Sequence, residues 1–144
     1  MKNAITFLLL SLLLLGTRQA GAEVVVVAGA KSGVERLSQQ EVIYLFMGRW
    51  RQLPSGALAQ PIDLASDSAE RVEFYRRLVN KEPAEIRAYW SRLVFSGGSR
   101  PPATADNRES LIRQINNNPG AIGYLERSQM DSRLRIIFEF PTTP

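Results

Sequence analysis

The sequence predicts an α/β domain with a mixed sheet covered by helices, and three observations lead to this fold class. First, apolar stretches with strand character alternate along the chain with segments that have helical spacing. Second, Glu23–Ala30 is a nearly continuous β-branched run, which is typical of a strand buried on both faces. Third, the chain has no cysteine, so a packed core rather than disulfides must hold the fold together.

The N-terminal residues 1–22 are predicted to be an export signal. Lys2 supplies a positive start, Ala4–Leu15 is apolar but short for a membrane span, and Ala20–Ala22 has the small-residue pattern of a cleavage site. An uncleaved anchor is the alternative. Because cleavage after Ala22 is the simpler interpretation, we expect a periplasmic protein with no membrane span after cleavage.

The predicted processing also sets the domain organisation and the charge. Cleavage after Ala22 leaves residues 23–140 as one domain and residues 141–144 as a tail. It removes Lys2 and Arg18 from the 18 basic side chains, against 14 acidic ones, so the net charge falls from +4 to about +2. This charge is too small to indicate nucleic acid as a partner. Since histidine and cysteine are absent, no metal or other cofactor is predicted.

The first elements have clear local signals. The strand at Glu23–Ala30 is expected in the interior of the sheet. The segment LSQQEVIYLFMG predicts a helix in which Ser38 and Glu41 form a capping box and Gly48 ends the helix. A turn at LPSG leads into a short strand, ALAQPIDLA, where Pro61 indicates an edge strand or a strand entry.

The stretch DLASDSAERVEFYRRL, residues 63–78, joins that strand to a second helix through small hydroxyl and acidic residues. Asp67 can cap the helix, and Glu70 can return the bond in a capping box. Alternatively, the hydroxyls of Ser66 and Ser68 could hold an anion at the helix start. A helix that caps itself is the simpler of the two interpretations.

The second half of the chain predicts two more helices and two strands. Pro83 begins the third helix, whose apolar residues recur at three-to-four spacing until Gly97–Gly98. The loop GGSRPPATAD follows, and Asp106 or Asn107 caps a fourth helix that extends through Ile115. The segment NNNPGAIGYLE then turns into a short apolar strand, and SRLRIIFEF forms the last strand.

Three segments, taken in order, carry a family resemblance: LSQQEVIYLFMGRWRQLPSG, YWSRLVFSGGSRPP and PGAIGYLE. Together they resemble the short, single-lobe members of the phosphate ABC-transporter substrate-binding protein family. The match extends from about Val24 to Glu126, which is nearly the whole predicted domain. The resemblance implies a single lobe of the periplasmic-binding-protein type II fold and a solute-binding ancestry.

The resemblance also implies where an anion would bind. Two-lobed members of the family clasp an oxyanion between domains, with a Ser-Gly-Thr turn at a helix N-terminus, where backbone N–H groups and the helix dipole attract negative charge. Placing Phe74 on the family's aromatic residue puts Ser68, Ala69 and Glu70 on that turn. Leu64 falls where the family has a basic residue. Compared with the family's turn, this sequence therefore keeps the serine hydroxyl at Ser68, lacks the basic residue at Leu64 and has an additional carboxylate at Glu70.

Two further stretches could bind an anion. The loop SGGSRPP offers Ser99, backbone N–H groups and the guanidinium of Arg100, and the turn after the first strand offers Ser32. Each could equally be an ordinary helix end or turn. The candidate ligand-binding residues are therefore Ser32, Ser66, Ser68, Ala69, Ser99 and Arg100.

These observations rank three classes of function. A periplasmic solute-binding-like protein that binds phosphate or another oxyanion comes first. Because one lobe cannot enclose a solute, the chain could instead form a homodimer or keep the fold without the solute site and bind a protein partner. An enzyme is least supported, since the one carboxylate cluster has no nucleophile and base beside it; that cluster is Asp63, Asp67, Glu70 and Glu73.

Overall fold

The computed structural model describes residues 23–142, which form one five-stranded sheet and four α-helices. The strands are β1 (Val24–Gly29), β2 (Gln60–Leu64), β3 (Ala103–Ala105), β4 (Ala121–Glu126) and β5 (Leu134–Glu139). The helices are α1 (Gln39–Phe46), α2 (Ala69–Val79), α3 (Pro83–Phe95) and α4 (Arg108–Asn116), and a 3₁₀ turn spans Arg127–Gln129. The predicted export signal lies outside the described residues.

The sheet is mixed, as expected, with the strand order β3-β2-β4-β1-β5. Strand β2 is parallel to both β3 and β4, whereas β1 is antiparallel to β4 and β5. Strand β1 therefore runs opposite to the other four. Its position inside the sheet and the burial of all six of its residues confirm the prediction made from its apolar run.

Helices α2 and α4 cover opposite faces of this sheet. The ring of Tyr124 in β4 stacks on Phe74 of α2, with 3.9 Å between ring centroids. A Cβ on the preceding Gly123 would lie 2.6 Å from Leu111 of α4, so this glycine allows α4 to approach closely. Since neighbouring residues of a strand point to opposite faces, the two helices must lie on different sides. Helices α1 and α3 then pack against α2.

Several local predictions are confirmed. Ser38 and Glu41 form the capping box of α1, and Gly48 follows the helix with a φ of 74°. The N–H of Gly56 donates to Leu53 O at 2.9 Å, which closes the LPSG turn. Asn107, one of the two alternatives, is the N-cap of α4.

Two local predictions are wrong in part, and a third, which left two alternatives open, is decided between them. The GGSRPPATAD segment contains β3, which pairs with Ile62–Leu64 of β2, so it is not only a loop. Pro61 consequently marks a strand entry and not an edge, because it lies just before the residues that pair with β3. The N-cap of α2 is Ser68 rather than Asp67, since the helix begins at Ala69 and the Ser68 hydroxyl is the one within reach of its first turn.

The hydrophobic face of α3 is narrower than its spacing predicts. Ile86 and Trp90 are buried, but Val94 is 51% exposed. Within residues 23–142, no helix combines the length and the hydrophobicity that crossing a membrane requires.

Candidate functional site

Two helix N-termini meet at one cavity of about 210 Å³, where β2 and β3 end. These strands are adjacent and parallel, so the segments that follow them, which lead into α2 and α4, emerge side by side. Crevices at the carboxyl ends of strands are where open α/β sheets usually bind ligands. The polar residues that line the cavity are Ser68, Glu70, Asp106, Asn107, Arg108 and Gln129.

Each of the two N-cap side chains can accept a hydrogen bond from its helix and still donate one into the cavity. Ser68 Oγ accepts a hydrogen bond from the N–H of Arg71 at 3.1 Å, and Asn107 Oδ1 accepts one from the N–H of Ser110 at 2.9 Å. Accepting these bonds leaves the hydroxyl proton of Ser68 and the amide protons of Asn107 free to donate. Neither group donates to an acceptor within residues 23–142. The cavity therefore has two side-chain donors beside the positive ends of two helices.

Arg108 is held in place by bonds from all three nitrogens of its guanidinium. Its Nε donates to Gln129 O at 2.9 Å, and its terminal nitrogens bond Glu109 at 2.9 Å and Asp131 at 2.8 Å. Arg133 bonds the same two carboxylates, and its hydrogen bonds hold the pKa of each below the usual range. Arg108 is thus fixed in orientation, and its charge is largely balanced.

The cavity also carries two carboxylates. Glu70 is half-buried and Asp106 is exposed. In the described part of the chain, neither has a basic partner within 4 Å. The cavity therefore offers both hydrogen-bond donors and charged acceptors, and this mixture limits which solutes it can hold.

A buried polar cluster beneath the cavity ties β2 to α2. Asp63 is only 5% exposed, and its Oδ2 accepts from Arg71 Nε at 3.2 Å and from the Tyr75 hydroxyl at 2.9 Å. Its Oδ1 accepts from the Tyr124 hydroxyl and from the N–H of Leu64 at 2.9 Å. Since Leu64 lines the cavity and the Arg71 N–H bonds Ser68, this cluster positions one wall of the site.

The carboxylates that the sequence suggested as one group do not lie together, because Asp63 belongs to this buried cluster. Asp63 is buried and paired with the guanidinium of Arg71, whereas Asp67 is exposed and lies just before α2 begins. Among the described residues, no group of three or more acidic side chains is arranged to hold a metal ion.

The two tyrosines of the cluster predict a loss of stability at high pH. Burial, followed by the nearby charge of Asp63, raises the pKa of both Tyr75 and Tyr124 well above 10.0. Their contribution is complete below the unfolded pKa and is lost as the pH rises through the folded one. Above about pH 10, the free energy of unfolding should fall by about 1.4 kcal/mol per pH unit for each tyrosine. Urea unfolding from about pH 9 to about pH 12 measures this slope; a flat profile would contradict the expectation.

Of the candidate residues near α2, the structure places one in the cavity. Ser68 lines it, whereas Ser66 and Ala69 are exposed on either side of Ser68 and do not. The sequence pattern did not reveal Asn107 and Arg108 as site residues. Asn107 was identified only as a helix cap, because the pairing of β2 with β3 that brings it near Ser68 joins distant parts of the chain.

The other candidates lie elsewhere and do not join this site. Ser99 and Arg100 line a separate groove together with the first residues of β2 and β3, at the other end of these strands. Ser32 follows β1, which is antiparallel to β4, so it too lies at the end of the sheet away from the cavity. Its Oγ accepts a hydrogen bond from the N–H of Val34 at 3.2 Å, as in an ordinary turn.

Solved structures share this fold, although the sequences are distant. An ABC-type phosphate transport receptor from Vibrio cholerae is 11% identical, with a TM-score of 0.63, over 80% of this chain and 45% of the receptor. PstS from Borrelia burgdorferi is 12% identical, with a TM-score of 0.60, over 85% of this chain and 49% of PstS. No protein-family model and no curated protein matches the sequence.

The comparison confirms the predicted α/β fold class and its periplasmic-binding-protein-like architecture. This chain spans less than half the length of each of these two structures, as expected for a single lobe. At these identities the likeness is one of fold.

Proposed function

We propose that this protein is an exported, single-lobe solute-binding-like protein that binds phosphate in the cavity between the N-termini of α2 and α4. The observation that carries the proposal is the convergence of two helix N-termini, with their N-cap donors, on one cavity at the ends of adjacent parallel strands. The fold shared with phosphate transport receptors supports this choice of solute. The signal-like residues 1–22 support export.

The mixed lining of the cavity favours phosphate over sulfate. The helix N-termini and the free side-chain donors of Ser68 and Asn107 suit the oxygen atoms of an oxyanion. Glu70 and Asp106 repel negative charge, but a carboxylate can accept a hydrogen bond from an oxyanion that keeps a proton. Phosphate carries such a proton at neutral pH and sulfate does not. We therefore expect phosphate to bind more tightly than sulfate.

The affinity should be modest because a single lobe forms only one wall around the solute. Enclosed small-molecule sites bury most of the ligand surface, whereas this cavity leaves one side of the ligand in water. A dissociation constant of about 0.1 to 1 mM is expected for phosphate.

Two matched serine variants test the site. Ser68→Ala and Ser38→Ala each remove an N-cap hydroxyl and should each cost about 1 kcal/mol of unfolding free energy. Only Ser68 lines the cavity, so calorimetry should show phosphate binding about tenfold weaker in Ser68→Ala and unchanged in Ser38→Ala. Equal phosphate affinities in the two variants, or no binding to the parent at about 10 mM, would contradict the proposal.

A protein that keeps the fold without the solute site is the second candidate. The observation in its favour is the pair of carboxylates at the cavity, Glu70 and Asp106, which have no basic partner within residues 23–142. Absence of both phosphate and sulfate binding in the calorimetric test would favour this candidate.

A further inference from the structure

The described residues expose four large apolar side chains, and three of these lie together. Trp50, Leu58, Val94 and Phe95 are 37%, 66%, 51% and 95% exposed. The first three line one groove of about 790 Å³, and Phe95 follows Val94 at the last position of α3. The groove also contains the first residues of β2 and β3, so it lies at the opposite end of these strands from the phosphate cavity. Apolar surface gathered in this way is typical of an interaction site.

Backbone hydrogen bonds and close packing fix the segment that carries Trp50 and Leu58. Gln52 and Leu58 form a β-bridge, and the N–H of Ala59 donates to Arg51 O at 2.9 Å. The backbone of Leu58 packs so closely on Gly120 that a Cβ there would lie 1.8 Å from Leu58 O. The backbone that carries these exposed side chains is thus ordered before any partner arrives, which reduces the entropic cost of binding.

The charge of the groove is one-sided. Arg51 and Arg100 line it, both are exposed, and no acidic residue is among its lining residues. Neither arginine has an acidic partner within 4 Å in the part of the chain that the structure describes. Arginine and tryptophan are also the residue types that most often dominate binding energy at protein interfaces.

We propose that this groove binds a segment of another protein that carries carboxylates beside aliphatic or aromatic side chains. Its apolar side chains would cover Trp50, Leu58 and Val94, and its carboxylates would pair with Arg51 and Arg100. A second copy of this chain fits less well, because a symmetric contact through this face would place the arginines of both copies together. The surface lies apart from the phosphate cavity, so the proposal does not depend on phosphate binding.

Selection from a phage library of random peptides on the purified protein tests this assignment. Enriched peptides should combine Asp or Glu with Leu, Ile, Phe or Trp, and the best of them, made synthetically, serves as the probe in fluorescence anisotropy. Leu58→Ser with Val94→Ser should weaken its binding about tenfold or more, because both exposed contacts are lost. Arg51→Ser with Arg100→Ser should weaken it about as much, and this loss should shrink in high salt.

The control is Arg87→Ser with Arg135→Ser, which changes the net charge equally at exposed positions outside the groove. This variant should bind the peptide as the parent does. The proposal is overturned if no peptide is enriched, if the enriched peptides lack carboxylates, or if the groove variants bind them unchanged. Sedimentation that shows a dimer of the parent, dissociated by Leu58→Ser, would identify a second copy as the occupant and would also overturn it.

Discussion

Replacing Asp63 by Asn should lower the free energy of unfolding by about 3 to 5 kcal/mol, the usual cost of breaking a buried ion pair. The side chains of Asp63 and Arg71 are 7% and 10% exposed, so water cannot replace the lost charge. Asparagine keeps the shape of the side chain but cannot balance the guanidinium. The hydroxyls of Tyr75 and Tyr124 would also lose a charged acceptor, although the amide oxygen can still accept one of them.

Asp67→Asn is the matched control, because it removes the same charge four residues away at an exposed position. Its effect should stay within about 0.5 kcal/mol. In urea unfolding, Asp63→Asn combined with Arg71→Gln should cost much less than the sum of the two single changes, since each breaks the same pair. Additive costs would show that Asp63 and Arg71 do not stabilise each other.

The parts of the fold that the sequence predicts correctly are those with local signals. The capping box of Ser38 and Glu41 joins residues only three positions apart, and the apolar run of β1 alone predicts that this strand is buried. Strand β3 was missed because Ala103–Ala105 is too short to show a pattern, and its pairing with β2 joins residues about forty positions apart. The spacing of Asp67 and Glu70 predicts Asp67 as the cap, but Ser68 caps the helix; both residue types cap well, and only the position of the helix start distinguishes them.

The site could be predicted only in part, for a related reason. Ser68 was found because a hydroxyl just before a helix is visible in the sequence. Asp63 was seen as one of several acids, whereas its Tyr124 partner is 61 residues away and its burial depends on the whole sheet. The available signal in the sequence was the spacing of its two partners: Arg71 and Tyr75 lie four residues apart, so they share one face of α2 and can both reach Asp63. An aspartate inside an apolar strand needs such a partner, and this need was the clue to look for one.

The two carboxylates of the cavity should strongly lower its affinity for sulfate. A carboxylate about 4 Å from a bound anion costs on the order of 4 kcal/mol at an effective dielectric constant near 20, before salt screening. Glu70 and Asp106 both line the cavity, so a sulfate dianion meets two such charges. Phosphate escapes part of this cost when its proton is shared with one of the carboxylates. If the cavity binds phosphate as proposed, the two acids would act mainly as a filter against oxyanions without a proton.

Replacing Glu70 by Gln and Asp106 by Asn together should raise the affinity for sulfate about thirtyfold, equal to about 2 kcal/mol, because salt and the exposure of Asp106 reduce the repulsion well below the unscreened figure. The affinity for phosphate should change much less, because it gains from the removed charge but exchanges charged carboxylate acceptors for weaker, neutral amide oxygens. Titration calorimetry with both anions at constant ionic strength measures the two changes. Glu35→Gln with Asp67→Asn is the control, since it removes the same charge from exposed residues that do not line the cavity. If sulfate affinity rises equally in both double variants, the effect comes from net charge alone, and Glu70 and Asp106 do not face the bound anion.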